Sequence, residues 1–380
     1  MKNFLFRLYL SLMKFGARFT KIQDNKIVIL NGAGRSGSNG YLFGKYMKEA
    51  HSEYKVTLVE PWPSSHLSFA IWREIGAAKY VVTTHQPFKI HKKQINIQFW
   101  HGIPLKRMGI MANNTNRKTD LRNQYLWQKN ADIVTSSSDL YESLMSACCA
   151  IENDKYQKVG FPRLDSLKSP TISQSQLLHD LFKIVDDQAQ IGIYLPTFRY
   201  EMQDSQVLDQ IKAGNFLTLP DFDVEQLNCA LKKQHQYLVV KLHPYEMSFF
   251  EHLTSQFSNI AFLNNDYLFE HDYDLYELLG ATNFLITDFS SIYFDYLNLD
   301  QPIIFLTNYL TKYENTRGLL LSPYEQVVPG ICVKNQQELL VALTNSDEYQ
   351  SKRQYWLDLT NQVQGHSCCD DIFTLMSTNY

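Results

Sequence analysis

Short apolar segments alternate with helical patterns along most of the chain, and this alternation limits the fold more than any other feature of the sequence. Strands that are joined by helices lie parallel, and parallel sheets occur in α/β proteins whose helices cover both faces of the sheet. The predicted strands are residues 26–30, 55–59, 80–84, 95–100, 132–136, 191–195, 237–242, 284–287 and 303–306. Helical patterns follow at residues 336–343 and 347–359. The sequence therefore predicts an α/β protein with parallel sheets.

The length of the chain and one polar segment predict its division into domains. A chain of 380 residues is longer than one hydrophobic core usually organises, so two lobes are expected. The boundary is expected near residues 170–175, which are rich in Ser and Thr and begin with a proline. We predict two doubly wound lobes with a cleft between them. The segments are an N-terminal helix at 1–22, a first lobe at 23–170, a second lobe at 171–345, and a C-terminal helix at 346–380 that returns toward the first lobe.

Charge and cysteine content exclude several classes of protein. The formal net charge is −3, so no nucleic-acid partner is expected. The six cysteines show no C-x-x-C spacing, which predicts a reduced, cytoplasmic setting and no metal site. No apolar stretch reaches the roughly 18 residues of a membrane span. No tightly bound cofactor is expected either.

The first twenty residues form a basic, amphipathic pattern. Acidic residues are absent before Asp24, and the stretch is not a signal peptide because cations interrupt its apolar part. The cations are Lys2, Arg7, Lys14, Arg18 and Lys21, and the apolar residues at helical spacing are Phe4, Leu5, Leu8, Leu12, Phe15 and Phe19. Two interpretations stay open: a helix docked on the first lobe, or a helix lying on anionic lipid.

A glycine-rich loop follows the first predicted strand. Residues 32–37 match the dinucleotide fingerprint G-x-G-x-x-G, and Glu60 closes the next strand as its acidic partner would. Residues 36–40 contain so much Gly and Ser that a helix is not expected to begin at its usual place. We therefore interpret Gly37, Ser38 and Asn39 as lining an acceptor site, with an NAD(P) oxidoreductase as the alternative that cofactor binding tests.

Two histidines stand directly after predicted strands. Gly102 lets the backbone turn sharply beside His101, and Pro244 prevents the strand before His243 from continuing. A histidine held at the floor of a cleft can act as a general base, because its pKa lies near neutral pH. The alternative for each is a structural histidine that caps the end of a strand.

Hydroxyl and guanidinium groups follow two strands of the second half. Thr197 and Arg199 are placed to contact phosphate oxygens, since a guanidinium offers a bidentate fork. Asp288 ends a strand, and Ser290 and Ser291 then open a helix whose N-terminus attracts anions. Simple capping explains these serines equally well and is compatible with phosphate binding.

One arginine lies just before the predicted domain boundary. Arg163 either pairs with Asp165 in a structural role or faces an anionic ligand. Taken with the strand-end residues above, it suits phosphoryl or glycosyl transfer from a nucleotide diphosphate donor.

These blocks, in this order, resemble the CDP-glycerol glycerophosphotransferase family of teichoic acid synthesis, which includes ribitol-phosphate transferases. The matching blocks are residues 38–43, Trp100-His101-Gly102 with Pro104 and Lys106, residues 160–165, 194–199, 241–244 and 287–291 with Asp295, Arg317-Gly318 with Tyr324-Glu325, and residues 329–330. The resemblance implies a GT-B fold of two Rossmann-like lobes, with the acceptor lobe first and the CDP-polyol lobe second.

The resemblance also implies residue roles. His101 is expected to be the general base, and His243 to steady the pyrophosphate. The expected donor or phosphate contacts are Arg163, Thr197, Arg199, Lys241, Asp288, Ser290, Ser291 and Arg317, and the expected acceptor-side residues are Gly37, Ser38, Asn39, Gly102 and Lys106.

The implied reaction transfers glycerol phosphate from CDP-glycerol to a hydroxyl of a lipid-linked glycan or polymer, with release of CMP. The implied location is peripheral, on the cytoplasmic face of the cell membrane and against its anionic surface. Mg²⁺ is compatible with pyrophosphate chemistry, although no ligand motif predicts it. Alternatives are a CDP-ribitol donor, a nucleotide-sugar glycosyltransferase or epimerase of the same fold, and a non-catalytic scaffold. Acceptor identity, single addition or polymerisation, and oligomeric state are left open.

Overall fold

The computed structural model describes residues 2–64, 66–113, 116–202, 204–250, 253 and 256–379. The side chains of Lys2, Phe4, Leu5 and Arg7, which belong to the predicted N-terminal pattern, lie outside this description. The chain forms two compact units. The first unit comprises Met1–His101, Thr115–Asp165 and Asn361–Tyr380, and the second comprises Gly102–Asn114 and Ser166–Thr360.

The first unit is built on a parallel sheet of six strands in the order β2-β1-β3-β4-β5-β6. The strands are β1 (Gln23–Leu30), β2 (Lys55–Val59), β3 (Ala78–Thr83), β4 (Ile95–Gln98), β5 (Ile133–Ser136) and β6 (Tyr156–Lys158). Its helices are α1 (Lys2–Ala17), α2 (Asn39–Ala50), α3 (Phe69–Ala77), α4 (Arg117–Asn130), α5 (Asp139–Cys149) and the closing helix α18 (Cys368–Asn379), while α6 (Pro162–Lys168) spans the boundary of the units.

Residues of β1 pack alternately into two cores, which explains why this strand is a continuous apolar run. Ile27 and Ile29 join one buried cluster, and Val28 and Leu30 join another. Residues from α2 and α18 complete the first cluster, and residues from α1 and α3 complete the second. A parallel sheet covered on both faces requires this pattern.

The second unit is built on a second parallel sheet of six strands, in the order β12-β11-β10-β7-β8-β9. The strands are β7 (Gln190–Tyr194), β8 (Gln236–Val240), β9 (Ile260–Phe262), β10 (Phe284–Thr287), β11 (Ile303–Leu306) and β12 (Ile331–Val333). The helices are α7 (Gln174–Phe182), α8 (Ser205–Lys212), α9 (Val224–Lys233), α10 (Pro244–Met247), α11 (Asn265–Glu270), α12 (Leu275–Leu279), α13 (Ile292–Tyr296), α14 (Leu310–Thr316), α15 (Tyr324–Val327), α16 (Gln336–Ala342) and α17 (Gln350–Thr360).

The order of the strands reverses once in each sheet. In the first unit the reversal lies between β1 and β3, and in the second it lies between β7 and β10. Doubly wound sheets bind ligands outside the carboxyl ends of the strands at such a switch point. The loops that leave these four strands are therefore where functional residues are expected.

The structure divides the chain at different residues from those predicted. The boundary follows Asp165 rather than residue 170, because Leu167 and Pro170 lie against Gly280 of the second unit. Residues 102–114 join the second unit, where the Leu320 backbone N–H donates to the carbonyl of Leu105 (2.9 Å). Residues 346–360 also stay with the second unit, whereas residues 361–380 join the first.

Helix α18 is attached to the first unit through the carboxylate of Asp165. This carboxylate accepts hydrogen bonds from the backbone N–H of Cys368 (2.9 Å) and Cys369 (2.8 Å) and from the hydroxyl of Ser367 (3.3 Å). The first N–H groups of a helix have no partner within the helix, and a carboxylate there also interacts favourably with the helix dipole. Asp165 thus ties the closing helix to the segment that contains Arg163.

We expect Asp165→Ala to lower the free energy of unfolding by about 1–2 kcal/mol, the usual loss when a helix cap is removed. Denaturation in urea, followed by circular dichroism, measures this change. Asp154→Asn is the matched control, because Asp154 lies exposed in a turn of the same unit. Equal midpoints for Asp165→Ala and the unmodified protein would show that the cap contributes nothing.

Candidate active site

The glycine-rich loop after β1 is organised by the side chain of Asn31. Its amide nitrogen donates to the carbonyl of Gly34 and to Oε1 of Glu60, both at 3.0 Å. Its amide oxygen accepts from the backbone N–H of Ala33 (3.2 Å) and from the hydroxyl of Ser38 (2.7 Å). One buried amide therefore holds the loop at the switch point of the first sheet.

The predicted acceptor-side residues of this loop lie together in the first unit. Ser38 caps α2 with its hydroxyl. Asn39 donates to the carbonyl of Trp100 (3.0 Å) and accepts from the backbone N–H of Arg163 (3.1 Å). The guanidinium of Arg163 in turn donates to the carbonyl of Gly37 (3.5 Å). Arg163, predicted as a donor contact, is thus buried beside the acceptor-side residues, and its role toward the donor stays a prediction.

The hydrogen bonds of the glycine-rich loop differ from those of a dinucleotide-binding loop. Glu60 is bound within the loop, by Asn31 through Oε1 and by the guanidinium of Arg35 through Oε2 (2.7 Å). A dinucleotide site needs such a carboxylate for the ribose, and it needs the helix to begin at the phosphates. Here α2 begins only at Asn39, beyond Gly37. These contacts disfavour the NAD(P) alternative.

His101 lies in a sharp turn after β4. The flanking residues have left-handed backbone angles, with φ of 51° at Trp100 and 115° at Gly102. The backbone N–H of Trp100 donates to Oε1 of Gln98 (2.9 Å), which fixes the turn. Nδ1 of His101 lies 3.2 Å from the carbonyl of Thr84. Because a carbonyl only accepts, Nδ1 carries the hydrogen, and Nε2 of the neutral ring keeps its lone pair. This arrangement suits a general base.

A second histidine of this unit, His85, was missed by the sequence analysis. Its ring lies 5.0 Å from the ring of His101, centroid to centroid. Desolvation by the surrounding protein lowers the pKa of His85, even though much of its surface remains accessible to solvent. The signal was present, because His85 follows β3 as His101 follows β4, and the same strand-end rule would have selected it.

The switch point of the second sheet is bridged by Thr197 and Asp288. The backbone N–H of Thr197 donates to Oδ1 of Asp288 (2.7 Å), and its hydroxyl donates to Oδ2 (3.0 Å). Burial raises the pKa of Asp288, while Thr197 and the charges of Arg199 and Lys106 act in the opposite direction. The carboxylate therefore joins the loops after β7 and β10, which supports a positioning role for both residues.

Arg199 forms a buried ion pair with Glu246 of α10. Its guanidinium lies 3.0 Å from Oε2 of Glu246, and its backbone N–H donates to Oε1 (2.9 Å). The guanidinium also donates to the carbonyl of Phe216, and both side chains of the pair are almost fully buried. These bonds favour a positioning role for Arg199, and its predicted contact with the donor stays a prediction.

His243 caps the N-terminus of α10, three residues after the end of β8. Its Nδ1 accepts from the backbone N–H of Tyr245 (3.3 Å), so Nε2 carries the hydrogen in the neutral ring. The ring of Phe198 stacks on it, with centroids 3.9 Å apart. His243 thus presents a hydrogen-bond donor at Nε2, whereas His101 presents an acceptor.

The other predicted donor contacts of the second unit lie at the same edge of the sheet. Lys241 is buried and donates to Oδ1 of Asn265 (2.8 Å), and desolvation lowers its pKa to about 8. Ser290 and Ser291 lie half-buried between β10 and α13. Their contacts with the donor stay predictions.

Gly102 and Lys106, predicted on the acceptor side, pack with the second unit instead. The ammonium of Lys106 lies 5.9 Å from the ring centroid of Tyr313, and its charge opposes the rise in the pKa of Asp288 that burial causes. Arg317 follows α14 directly, and its backbone N–H donates to the carbonyl of Tyr313 (2.8 Å). Lys106 and Arg317 are therefore cations of the unit predicted to bind the donor.

A cavity of about 540 Å³ lies at the opposite edge of the second sheet. It is lined by residues at the amino ends of the strands, including Gln236 and Asn283. Gln236 donates to the carbonyl of Leu343 (3.1 Å), and Asn283 accepts from the backbone N–H of Ile191 (2.8 Å). Since these amides join strands to their neighbours and ligands bind at the carboxyl edge, this cavity is not the candidate site.

Within the part of the chain that the structure describes, no group of three or more His, Cys, Asp or Glu side chains is arranged to hold a metal ion. No helix among the described residues is both long and apolar enough to cross a bilayer.

Comparison with known protein families shows which family the chain belongs to. A model of the family described as CDP-glycerol:poly(glycerophosphate) glycerophosphotransferase matches residues 18–375. The chain belongs to this family. The resemblance inferred from the motif blocks is confirmed.

Characterised relatives act in teichoic acid synthesis. The teichoic acid glycerol-phosphate primase of Bacillus subtilis (strain 168) is 29% identical over 271 residues, covering 70% of this chain and 63% of the primase. The teichoic acid glycerol-phosphate transferase of Staphylococcus aureus (strain NCTC 8325 / PS 47) is 28% identical over 283 residues, covering 72% and 68%. The teichoic acid ribitol-phosphate primase of Bacillus spizizenii is 25% identical over 274 residues, covering 69% and 64%. The chain thus spans less than two thirds of the length of the first of these relatives.

Solved structures share the architecture. The wall teichoic acid polymerase TagF has a TM-score of 0.78 at 20% identity, and the match covers 100% of this chain and 95% of that one. The UDP-GlcNAc 2-epimerase of Methanocaldococcus jannaschii has a TM-score of 0.51 at 10% identity, covering 93% and 99%. Likeness at these identities concerns the fold alone, and it confirms the predicted GT-B class with two Rossmann-like sheets.

Proposed function

We propose that the protein transfers glycerol phosphate from CDP-glycerol to a hydroxyl of a lipid-linked or polymeric cell-envelope acceptor and releases CMP. The observation that carries this proposal is the opposite polarity of the two histidines. Nδ1 of His101 donates to Thr84 and leaves Nε2 as an acceptor, whereas Nδ1 of His243 accepts from Tyr245 and leaves Nε2 as a donor. A base for a hydroxyl and a donor for phosphate oxygens are what the transfer needs.

The proposed reaction forms one P–O bond and breaks another. The acceptor oxygen attacks the β-phosphorus of CDP-glycerol while its proton passes to Nε2 of His101. The bond from the β-phosphorus to the bridging oxygen breaks, and CMP leaves with the electron pair. Nε2–H of His243 stabilises the charge that develops on the phosphate oxygens, and the nearby cations of the second unit act in the same direction.

The donor can be tested directly. We expect CMP release from CDP-glycerol in the presence of a lipid-linked disaccharide or glycerol-phosphate-ended acceptor, and much slower release from CDP-ribitol. A glycerol donor is favoured because the two glycerol-phosphate relatives are 29% and 28% identical, against 25% for the ribitol-phosphate primase. Faster release from CDP-ribitol would establish the ribitol alternative. Calorimetry that shows binding of neither donor would contradict the proposed function.

We expect His243→Ala to lower kcat by about 10²- to 10³-fold, the usual effect of removing one preorganised donor at a developing charge. The melting temperature should change little, because the ring is exposed, even though Phe198 stacks on it and the backbone N–H of Tyr245 donates to it. Steady-state release of CMP and differential scanning fluorimetry measure the two effects. His243→Gln is the comparison, since its amide can still donate and should recover part of the rate. A collapse in melting temperature with normal turnover of the folded fraction would support a structural histidine instead.

We propose further that the protein lies on the cytoplasmic face of the membrane, against its anionic surface, through the outer face of α1. The inner face of α1 packs on the first unit, where the hydroxyl of Tyr9 donates to the carbonyl of Leu67 (2.7 Å) and accepts from Nε1 of Trp72 (3.0 Å). The outer face exposes the apolar side chains of Leu8, Leu12 and Phe15, and the side chain of Phe19, just beyond the end of α1, is exposed as well. The docked and the interfacial interpretations therefore concern different faces of one helix.

Positive charge lies beside this apolar face. Burial and, less strongly, the charges of Arg18 and Lys129 lower the pKa of Lys14 to about 8, and the ammonium of Lys14 lies 4.6 Å from the ring centroid of Phe88. Arg18 lies exposed directly after α1. Lys21 lies exposed just beyond the helix. Each cation near an anionic leaflet contributes about 1 kcal/mol of attraction. Charge complementarity thus selects an anionic lipid surface as the partner of this face.

We expect the triple variant Leu12→Ser, Phe15→Ser, Phe19→Ser to weaken binding to anionic vesicles at least tenfold, because each buried apolar side chain contributes about 1.5–3 kcal/mol. Sedimentation with phosphatidylglycerol vesicles measures the binding. Val185→Ser is the matched control, since Val185 is as exposed as Phe19 (79% and 78%) but lies in the other unit. Unchanged sedimentation of the triple variant would refute a membrane role for α1.

A further inference from the structure

A second imidazole stands at the switch point of the first sheet. His85 comes two residues after the end of β3, and β3 lies next to β1, where the strand order reverses. Ligands of doubly wound sheets bind in the crevice at this place. The glycine-rich loop after β1, the turn that carries His101, and His85 therefore share one edge of one sheet.

One residue orients both histidine rings. The carbonyl of Thr84 accepts from Nδ1 of His101 (3.2 Å), and the hydroxyl of Thr84 bonds to Nδ1 of His85 (3.1 Å). The carbonyl of His85 also accepts from Nε2 of Gln98 (2.9 Å), the residue that fixes the turn before His101. The two rings are thus held as a unit, with their centroids 5.0 Å apart and their planes tilted by 35°.

The glycine-rich loop leaves room for the ring of His85. A side chain at Gly32 would have its Cβ 3.3 Å from Nδ1 of His85 and would also clash with the carbonyl of Trp62. The guanidinium of Arg35 on this loop is paired with the carboxylate of Glu60, which follows β2. His85 therefore lies beside a loop whose cation is already paired.

The charge state of His85 suits a neighbour of a general base. Desolvation lowers the pKa of His85, so its ring is neutral at neutral pH. A neutral ring does not repel the imidazolium that forms on His101 when it takes a proton. It also offers a nitrogen that can bond to an uncharged hydroxyl, either as donor or as acceptor.

We propose that His85 is a second acceptor-binding residue, which hydrogen-bonds the oxygen adjacent to the reacting hydroxyl and so selects which hydroxyl of a vicinal diol His101 deprotonates. Hydrogen bonds of about 2.7–3.2 Å from two rings this close can reach oxygens on neighbouring carbons of one molecule. The ligand class is a vicinal diol, as at the end of a glycerol chain or on a sugar ring. This inference rests on the proposed function and adds the group that recognises the acceptor.

The test uses acceptors that differ by one hydroxyl. Two lipid-linked pairs are compared, one ended in glycerol phosphate and one in an N-acetylhexosamine, each with an analogue that lacks the hydroxyl next to the reacting one. The KM values are then compared within the acceptor pair that the unmodified protein glycerophosphorylates. Use of neither pair would count against the proposed function itself, and CDP-glycerol binding measured by calorimetry reports on the donor separately.

We expect the unmodified protein to show an acceptor KM about tenfold higher for the deoxy analogue, the size of one lost hydrogen bond. His85→Ala should raise the KM of the complete acceptor by a similar factor and should abolish the difference between the two acceptors. The product of His85→Ala should also carry glycerol phosphate at the neighbouring hydroxyl in part of the molecules. His85→Asn, whose amide can keep the bond to Thr84, is the second variant in case the first does not fold. If the loss of the hydroxyl raises the acceptor KM by the same factor for the folded His85 variants and for the unmodified protein, the inference is wrong.

Discussion

His101→Asn is expected to lower kcat for CMP release by about 10²- to 10⁴-fold, the range that general base catalysis contributes. The amide of asparagine can still donate to the carbonyl of Thr84, as Nδ1 of His101 does at 3.2 Å. It has no group in the place of Nε2 that could take a proton. Because the bond that holds the turn is kept, the melting temperature and donor binding should stay close to those of the unmodified protein. Single-turnover release of CMP at saturating CDP-glycerol measures the effect.

His66→Asn is the matched control for this variant. His66 is an exposed histidine of the same unit, outside the glycine-rich loop and the turn after β4. Its replacement should leave the rate unchanged. A normal rate for His101→Asn would remove the general base from the mechanism and would revive the interpretation of His101 as a structural histidine.

Glu246→Ala is expected to lower the free energy of unfolding by about 3–5 kcal/mol, because it leaves the guanidinium of Arg199 buried without its carboxylate. Both side chains are almost fully buried, and the carboxylate bonds the backbone as well as the guanidinium of Arg199. For a domain of this size the melting temperature should fall by roughly 6–20 °C. Calorimetric melting gives the temperature, and urea denaturation gives the free energy.

A double variant separates the cost of an unpaired buried charge from the loss of packing. The variant Glu246→Leu, Arg199→Met should be more stable than Glu246→Ala alone, because no unpaired charge remains in the interior. Lys334→Gln breaks an exposed ion pair with Glu325 in the same unit and should have a much smaller effect. A melting temperature for Glu246→Ala equal to that of the Lys334→Gln control would contradict the assignment of Arg199 as a buried positioning residue.

The apolar runs of the sequence were sufficient to predict most strands. The bounds of β2, β10 and β11 agree with prediction. The strands β10 and β11 are runs of apolar or β-branched residues with polar residues or a proline on either side, and β2 is such a run after Lys55 that ends before Glu60. The strands β6, β9 and β12 were missed. Each has three residues, which is too short for a periodic pattern to emerge.

The positions of site residues were predictable, whereas their partners were not. Parallel strands bring their carboxyl ends to one edge, so His101, His243 and Thr197 could be selected from strand ends alone. The bond of Arg163 to Asn39 joins residues 124 positions apart, and the pair of Arg199 with Glu246 joins residues 47 apart. Local sequence carries no signal for such contacts. The hydrogen-bonding polarity of the two histidines likewise depends on neighbours that only the folded chain supplies.

Mass spectrometry of the acceptor after incubation with CDP-glycerol distinguishes transfer of glycerol phosphate to an acceptor hydroxyl from hydrolysis of the donor. We expect the acceptor to gain one or more glycerol phosphate units, with one CMP formed for each unit, and His101→Asn to form almost none in the same time. CMP formed with no change in the mass of the acceptor would show hydrolysis of the donor and would refute the proposed transfer.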